Sequence, residues 1–168
     1  MPCYLNKFTE KYVTQKYIGW LNDPALMKYS EQRHYTHDID SCIRYFNSFT
    51  GTKNLLYAVV DSNTHQHVGN INAYVDAFNQ TADVGVLIGI GGYGYGLSAW
   101  NKMLHQLFSA DLNIRKVTAG AMSENKAMLR IFEKSGMSYE YTKIRHFCFE
   151  NRLVDMKVYF KEKVQSPR

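Results

Sequence analysis

Five of the eight residues in Gly89-Ile90-Gly91-Gly92-Tyr93-Gly94-Tyr95-Gly96 are glycine. The stretch lies between an apolar run, Ala82 to Ile88, and a segment in which Leu97, Trp100, Leu104, Leu107 and Phe108 recur at helical spacing. That order predicts a strand, a glycine loop and an amphipathic helix ending near Asp111. Glycine lets the backbone take positive φ and lets a ligand approach it closely. Free amides at the start of the helix then form a positively polarised anion site. Without a ligand, so many glycines would leave a large ordering cost unrecovered. The residues from Gly91 to Gly96 are therefore expected to cradle a phosphate or pyrophosphate, with Tyr93 and Tyr95 packing on the bound molecule.

Two common phosphate loops fit poorly. Gly89, Gly91 and Gly94 satisfy the spacing of the dinucleotide fingerprint, but that fold wants an acidic residue about 20 positions on, at the end of the next strand. The next strand here ends at Gly120-Ala121. A P-loop requires Gly-Lys-Ser/Thr, and the chain has no Gly-Lys pair.

The rest of the chain reads as mixed α/β. Thr14 to Leu21 is an expected helix, stopped at Asn22-Asp23-Pro24, and His37 to Phe49 is a second. Between them Tyr29-Ser30-Glu31-Gln32-Arg33-His34-Tyr35 is a loop dense in chemically able side chains. Leu55–Val60, Val68–Val75 and Ala82–Ile88 form a meander, with turn residues at 61–64 and 76–80. After the long helix come a strand over Lys116–Ala121, a helix over Asn125–Ser135 closed by Gly136, and a hairpin of Tyr139–Phe149 with Leu153–Phe160. This order gives a partly antiparallel sheet and not a doubly wound array.

Length and composition narrow the class. At 168 residues with 45% hydrophobic content the chain is expected to be one domain, 1–168, with a real core. No apolar window is long enough to cross a membrane, and the first residues lack a signal-type run. Cys3, Cys42 and Cys148 are odd in number and far apart, so a cytoplasmic protein is expected, without disulfides. The net charge of +5 comes from scattered residues without a basic block, which suits a small phosphorylated ligand at least as well as nucleic acid. His65 and His67 lack a third ligand nearby, so no metal is expected.

Gly91-Gly92-Tyr93-Gly94-Tyr95-Gly96 resembles the pyrophosphate loop of the GNAT (GCN5-related) N-acetyltransferases, Gln/Arg-x-x-Gly-x-Gly/Ala, with Gly94 and Gly96 as the matching glycines and Gly91 in the Gln/Arg position. Asp83-Val84-Gly85-Val86-Leu87-Ile88-Gly89 is similar to the family's fourth strand. Asn125 and Gly136 match the later motif Asn-x-x-Ser-x-x-x-Tyr-x-x-x-Gly-Phe, in which Met128, Phe132 and Met137 replace Ser, Tyr and Phe. Trp20-Leu21-Asn22-Asp23-Pro24 is similar to the branch of the ribosomal-protein N-terminal acetyltransferases (RimJ/RimL-like).

The resemblance implies a mostly antiparallel sheet of six or seven strands with helices on both faces, splayed between the fourth and fifth strands to admit pantetheine. It implies acetyl-CoA as cosubstrate and an amine acceptor: a protein N-terminus, an amino sugar or a small amine. Val86, Leu87 and Ile88 would meet the pantetheine and thioester, and Asn125 and Arg130 the cofactor from the later helix. Glu31, His34 and Asp83 are the candidates for the base that takes the amine proton. Phe132 removes the family's tyrosine acid, leaving Tyr139, Tyr141 or solvent to protonate the thiolate. A non-catalytic acyl-CoA-binding module and a basic nucleic-acid binder are the alternatives. The sequence leaves monomer and homodimer open.

Overall fold

A computed structural model describes residues 2–164. Seven strands, β1 (Cys3–Lys7), β2 (Leu55–Asp61), β3 (His67–Asp76), β4 (Thr81–Ile88), β5 (Lys116–Met122), β6 (Ser138–Phe149) and β7 (Arg152–Glu162), form one sheet in the order β1-β2-β3-β4-β5-β7-β6. Every neighbouring pair is antiparallel except β4 and β5. Four helices, α1 (Gln15–Leu21), α2 (Ile39–Asn47), α3 (Tyr95–Leu107) and α4 (Lys126–Lys134), cover the two faces.

Side-chain alternation along the strands divides the interior in two. On one face Val59, Ile71, Val84, Val117 and Ala119 pack under α3 and α4 with Trp100, Met103, Leu107 and Phe132. On the other, Leu56, Ala58 and Val60 pack under α1 and α2 with Tyr17, Ile18, Trp20 and Cys42. Local chemistry fixes where the helices start. The Thr14 side chain accepts from the Tyr17 amide, Asp38 and Ser41 form a reciprocal capping box, and Asn125 accepts from the Met128 amide.

β4 pairs with β3 over its whole length, from Thr81 opposite Asp76 to Ile88 opposite Gly69. Its pairing with β5 covers only Thr81 with Lys116, Ala82 with Val117 and Asp83 with Thr118. Beyond Asp83 the two strands part. The Gly89 amide donates to the Val68 carbonyl at 2.9 Å. By the two-residue period of an antiparallel ladder, odd-numbered residues of β4 bond to β3, and the backbone groups of Val84, Val86 and Ile88 face the widening gap.

The expected elements stand within a few residues of the observed ones. β1 is an addition; its hydrophobic residues, Cys3, Tyr4 and Leu5, are consecutive and make no alternating run, so it gives no strand signal of its own. The loop from Tyr29 to Tyr35 contains a turn of 3-10 helix, Glu31–His34, whose Ser30 side chain accepts from the Gln32 amide.

At the end of β4 the chain passes against α1. A Cβ on Gly89 would stand 2.0 Å from Trp20 Cε2, inside the indole ring. A Cβ on Gly120 would meet only the terminal methyl of Met156, also at 2.0 Å, which can swing away. Gly89→Ala should therefore cost about 1–3 kcal/mol as overpacking. In a chain of this size that lowers the melting temperature by roughly 2–4 °C per kcal/mol. Gly120→Ala should shift it by much less, and equal losses in the two variants would contradict the packing described.

Candidate functional site

The gap between β4 and β5 opens toward the start of α3, and the glycine loop lies across its mouth. Gly94 is the N-cap of α3 with φ 73°, and Gly92 has φ 93°; both lie in the left-handed region that favours glycine. The Ser98 amide returns to the Gly94 carbonyl at 3.1 Å, which leaves the amides of Tyr95, Gly96 and Leu97 as the free first-turn donors. A Cβ on Gly91, Gly92 or Gly94 would meet nothing within 4 Å, whereas one on Gly96 would stand 2.9 Å from Ile131 Cδ1. The loop is thus open on the solvent side, and the first turn of α3 that follows it is close-packed against α4. A phosphate seated there would meet backbone amides and the positive end of a 13-residue helix.

Tyr95 corrects one expectation. Its ring is buried, and its hydroxyl donates to Asp61 Oδ2 at 2.5 Å. Only its amide is left to face a ligand. Asp61 also accepts from the Asn63 amide, the Thr64 amide and the Thr64 hydroxyl, at 2.9, 2.6 and 3.0 Å. These bonds, the one from Tyr95 foremost, hold its carboxyl well below the usual carboxylate range, while Asp61 pushes the Tyr95 hydroxyl up to about 12. The pair ties the first residue of α3, and with it the loop exit, to the end of β2. Tyr93 is exposed, 5.5 Å from Tyr95 between ring centroids.

Val84, Val86 and Ile88 turn their side chains to the α3/α4 core and Leu87 to the α1/α2 face, the face on which strand alternation also puts Asp83 and Gly85. Asp83 sits at the last pair before the strands part. The Thr118 hydroxyl donates to its Oδ2 at 3.3 Å. Desolvation raises its carboxyl above the ordinary aspartate value, although Thr118 and Lys143 pull the other way. Two residues further on, past the last pair, both strands carry glycine on this face, Gly85 and Gly120. The Asn72 side chain lies over Gly85, with Oδ1 3.0 Å from where a Cβ would be.

Glu31 and His34 lie on a different element from Asp83, the turn between α1 and α2. Glu31 Oε1 pairs with Arg33 Nη1 at 2.7 Å, and Glu31 Oε2 lies 3.6 Å from His34 Nε2. Arg33 also donates to the Ser30 and Cys148 carbonyls at 2.8 and 3.3 Å and lies over the Phe149 ring, 5.6 Å from its centroid. It clamps the turn to the β6–β7 hairpin. Between the two lies a cavity of about 550 Å3, lined among others by Met27, Lys28, Arg33, His34, Tyr35 and Phe149.

The residues expected on α4 divide. Asn125 has its side-chain oxygen committed to the helix cap, and Arg130 is exposed, as are Lys126 and Lys134. Phe132 is buried against Trp100 and Tyr159 at 5.3 and 5.2 Å. Tyr139 and Tyr141 lie on β6, two strands beyond β5, so neither stands at the fork. Among the described residues, no group of three or more His, Cys, Asp or Glu side chains is placed to hold a metal ion, and no helix is long and apolar enough to cross a membrane. Phe149, Lys28 and Asn72 had no mark in the sequence. Their places depend on contacts between segments far apart in the chain.

Residues 4–138 match the Acetyltransferase (GNAT) domain family. No curated protein matches the chain. Several solved structures share its fold. An acetyltransferase of the GNAT family from Bacillus anthracis is 21% identical with a TM-score of 0.82, covering 97% of this chain and 96% of its own. Spermidine N-acetyltransferase from Vibrio cholerae, solved with CoA and spermine, is 17% identical with a TM-score of 0.86, covering 96% of each chain. A ribosomal L7/L12 alpha-N-protein acetyltransferase, solved with CoA, is 12% identical with a TM-score of 0.84, covering 96% and 94%.

Removing the Tyr95 hydroxyl tests the anchoring of the loop. A carboxyl whose pKa is depressed by folding adds stability above its unfolded value, about 3.9, and loses it as pH falls through the native value. Tyr95→Phe should lower the melting temperature at neutral pH by a few degrees. The difference from the parent should narrow below about pH 4, where the parent loses the same contribution. A constant difference across that range would contradict the Asp61–Tyr95 assignment.

Proposed function

The chain belongs to the GNAT acetyltransferase family, and from that premise we propose that it moves an acetyl group directly from acetyl-CoA to a primary amine. The observation that carries this reading is the parting of β4 from β5 after three residue pairs, with the N-terminus of α3 at the mouth of the gap. A linear amide such as pantetheine can complete the ladder that β5 leaves unfinished, bonding to Val84, Val86 and Ile88. The pyrophosphate then falls on the loop from Gly91 to Gly96. The residues fit the group: the open cradle at Gly91, Gly92 and Gly94 has no side chain to displace. Structures that share this fold were solved with CoA, which supports acetyl-CoA as the cosubstrate.

Acetyl-CoA supplies an activated thioester, and the chain's own residues do the rest. The amine must be neutral to attack, so its proton has to leave. Asp83 is the base we assign. It stands on the acceptor face at the fork, and its raised carboxyl moves toward the range in which it can take and return a proton. Glu31 is held by Arg33 and paired with His34, which places those two with acceptor recognition. As the amine nitrogen bonds to the carbonyl carbon, negative charge gathers on the carbonyl oxygen, and an amide of β4 at Val86 or Ile88 is placed to stabilise it. The carbon–sulfur bond then breaks and the thiolate leaves. Phe132 has no hydroxyl to offer, so its proton comes from solvent.

Two variants separate cofactor binding from proton transfer. Gly94→Val strains the left-handed N-cap and crowds the cradle, and should weaken acetyl-CoA binding by about tenfold or more, or 1.4 kcal/mol. Binding is read by calorimetry, and unchanged affinity would overturn the pyrophosphate placement. Asp83→Asn should leave acetyl-CoA affinity intact. It should lower kcat near neutral pH by about 10²–10⁴-fold, with partial recovery as pH rises and free amine accumulates. A kcat that falls equally at every pH would contradict the base assignment.

A further inference from the structure

Resting on the transferase reading above, we propose that Asn72 holds the acceptor amine, its Oδ1 accepting one N–H of the nucleophilic nitrogen while Asp83 takes the proton that this nitrogen must lose. Asn72 stands on β3 opposite Gly85, the first residue on the acceptor face of β4 past its last pair with β5. Because Gly85 has no side chain, Asn72 leans across it. Its Oδ1 lies 3.0 Å and its Nδ2 3.7 Å from where a Cβ would be. The amide has thereby crossed from β3 to the strand that borders the gap. On the other bank Met156, from β7, leans over Gly120 of β5 in the same manner, its Sδ 3.4 Å from the Cβ position. The mouth of the fork thus has a polar bank and an apolar bank on this face.

The neighbours of Asn72 leave its oxygen free. On the same face of β3, Asn70 Oδ1 lies 2.8 Å from His67 Nε2, and Tyr74 stacks on Phe49 at 5.6 Å between centroids. Leu56, opposite on β2, is apolar and buried. Asn72 itself is half buried and makes no side-chain hydrogen bond among the described residues. Asp83 is its diagonal neighbour, opposite Tyr74 one step along the ladder. Diagonal pairs stand about 7–8 Å apart, so a nitrogen between the two side chains is within reach of both. Of the other groups that face Asp83, the Thr118 hydroxyl is spent on its Oδ2 and Lys143 has no acceptor to offer. An ammonium arriving here gives one proton to Asp83. Of the two N–H bonds that remain, one donates to Asn72 Oδ1, and the freed lone pair points into the gap. As the carbon–nitrogen bond forms and the carbon–sulfur bond breaks, the nitrogen sheds a second proton to solvent and the departing thiolate takes one from it. Two contacts fix the direction of the lone pair, which the base alone leaves free to turn.

The test follows thiol release from acetyl-CoA by the full chain with an alanine tripeptide, glucosamine and spermidine, alongside acetyl-CoA binding by calorimetry. For each amine that reacts, Asn72→Leu should lower kcat/KM at least about tenfold, chiefly through KM, as one hydrogen bond to a polarised group is lost. Acetyl-CoA affinity and the acid limb of the pH profile should stay in place. Asn72→Asp keeps an acceptor oxygen at the same position, so KM should return close to the parent value. Its carboxylate beside Asp83 raises the pKa of the base, so the acid limb of kcat should move to higher pH. A side chain that only packs would not link the return of KM to a displaced limb. Parental KM in Asn72→Leu, or an unmoved limb in Asn72→Asp, would overturn the proposal while thiol release by the parent leaves the transferase reading standing. Acetyl-CoA binding without thiol release by any of the three amines would overturn the transferase reading, and this proposal with it.

Discussion

A strand that is paired along its whole length on one side and over three residues on the other must satisfy its remaining backbone groups elsewhere. β4 is such a strand. Past Asp83, the groups of Val84, Val86 and Ile88 turn toward a gap that widens because β5 runs on to pair with β7. The two strands diverge without losing the sheet, since β3 holds one and β7 the other. Their side chains still fill the α3/α4 core, so the gap is a feature of the backbone and not a packing defect. An extended ligand with amides of its own completes the ladder, which is why the fork and a pantetheine arm suit each other.

The glycine loop gains its precision from what surrounds it. Trp20 occupies the space that a side chain at residue 89 would take, fixing the end of β4 against α1. The Tyr95 hydroxyl on Asp61 fixes the start of α3 to β2. Between these two points, Gly91, Gly92 and Gly94 remain open. A loop pinned at both ends, with free amides between, presents its donors without further ordering when an anion arrives. On the opposite face Arg33 performs a comparable service, joining the turn after α1 to a hairpin more than a hundred residues later in the chain.

How much of this the sequence disclosed follows from the range of each interaction. The loop, its flanking strand and the helix behind it are local, and their pattern of glycines and apolar spacing was legible. So were the antiparallel meander and the last hairpin, because they carry their own turn signals. β1 stayed hidden because a five-residue edge strand whose hydrophobic residues, Cys3, Tyr4 and Leu5, are consecutive makes no alternating run. Tyr95 read as exposed among glycines, yet its partner Asp61 lies 34 residues away and only the fold brings them together. Phe149 and Lys28 carried no mark in the sequence. The contact they form joins the first loop to the last hairpin. Asp83, Glu31 and His34 were visible as titratable residues in suggestive places, but their separation into a group at the fork and a pair at the acceptor turn is a matter of three dimensions.

Amide hydrogen exchange with and without acetyl-CoA addresses the central claim most directly, because that claim concerns backbone groups. Acetyl-CoA should slow exchange at Val84, Val86 and Ile88 in β4 and at Tyr95, Gly96 and Leu97 at the start of α3. The amides of β1 and β2, already paired, should change little. Protection confined to the turn at Glu31–His34 and the β6–β7 hairpin, or no change along β4, would contradict the account.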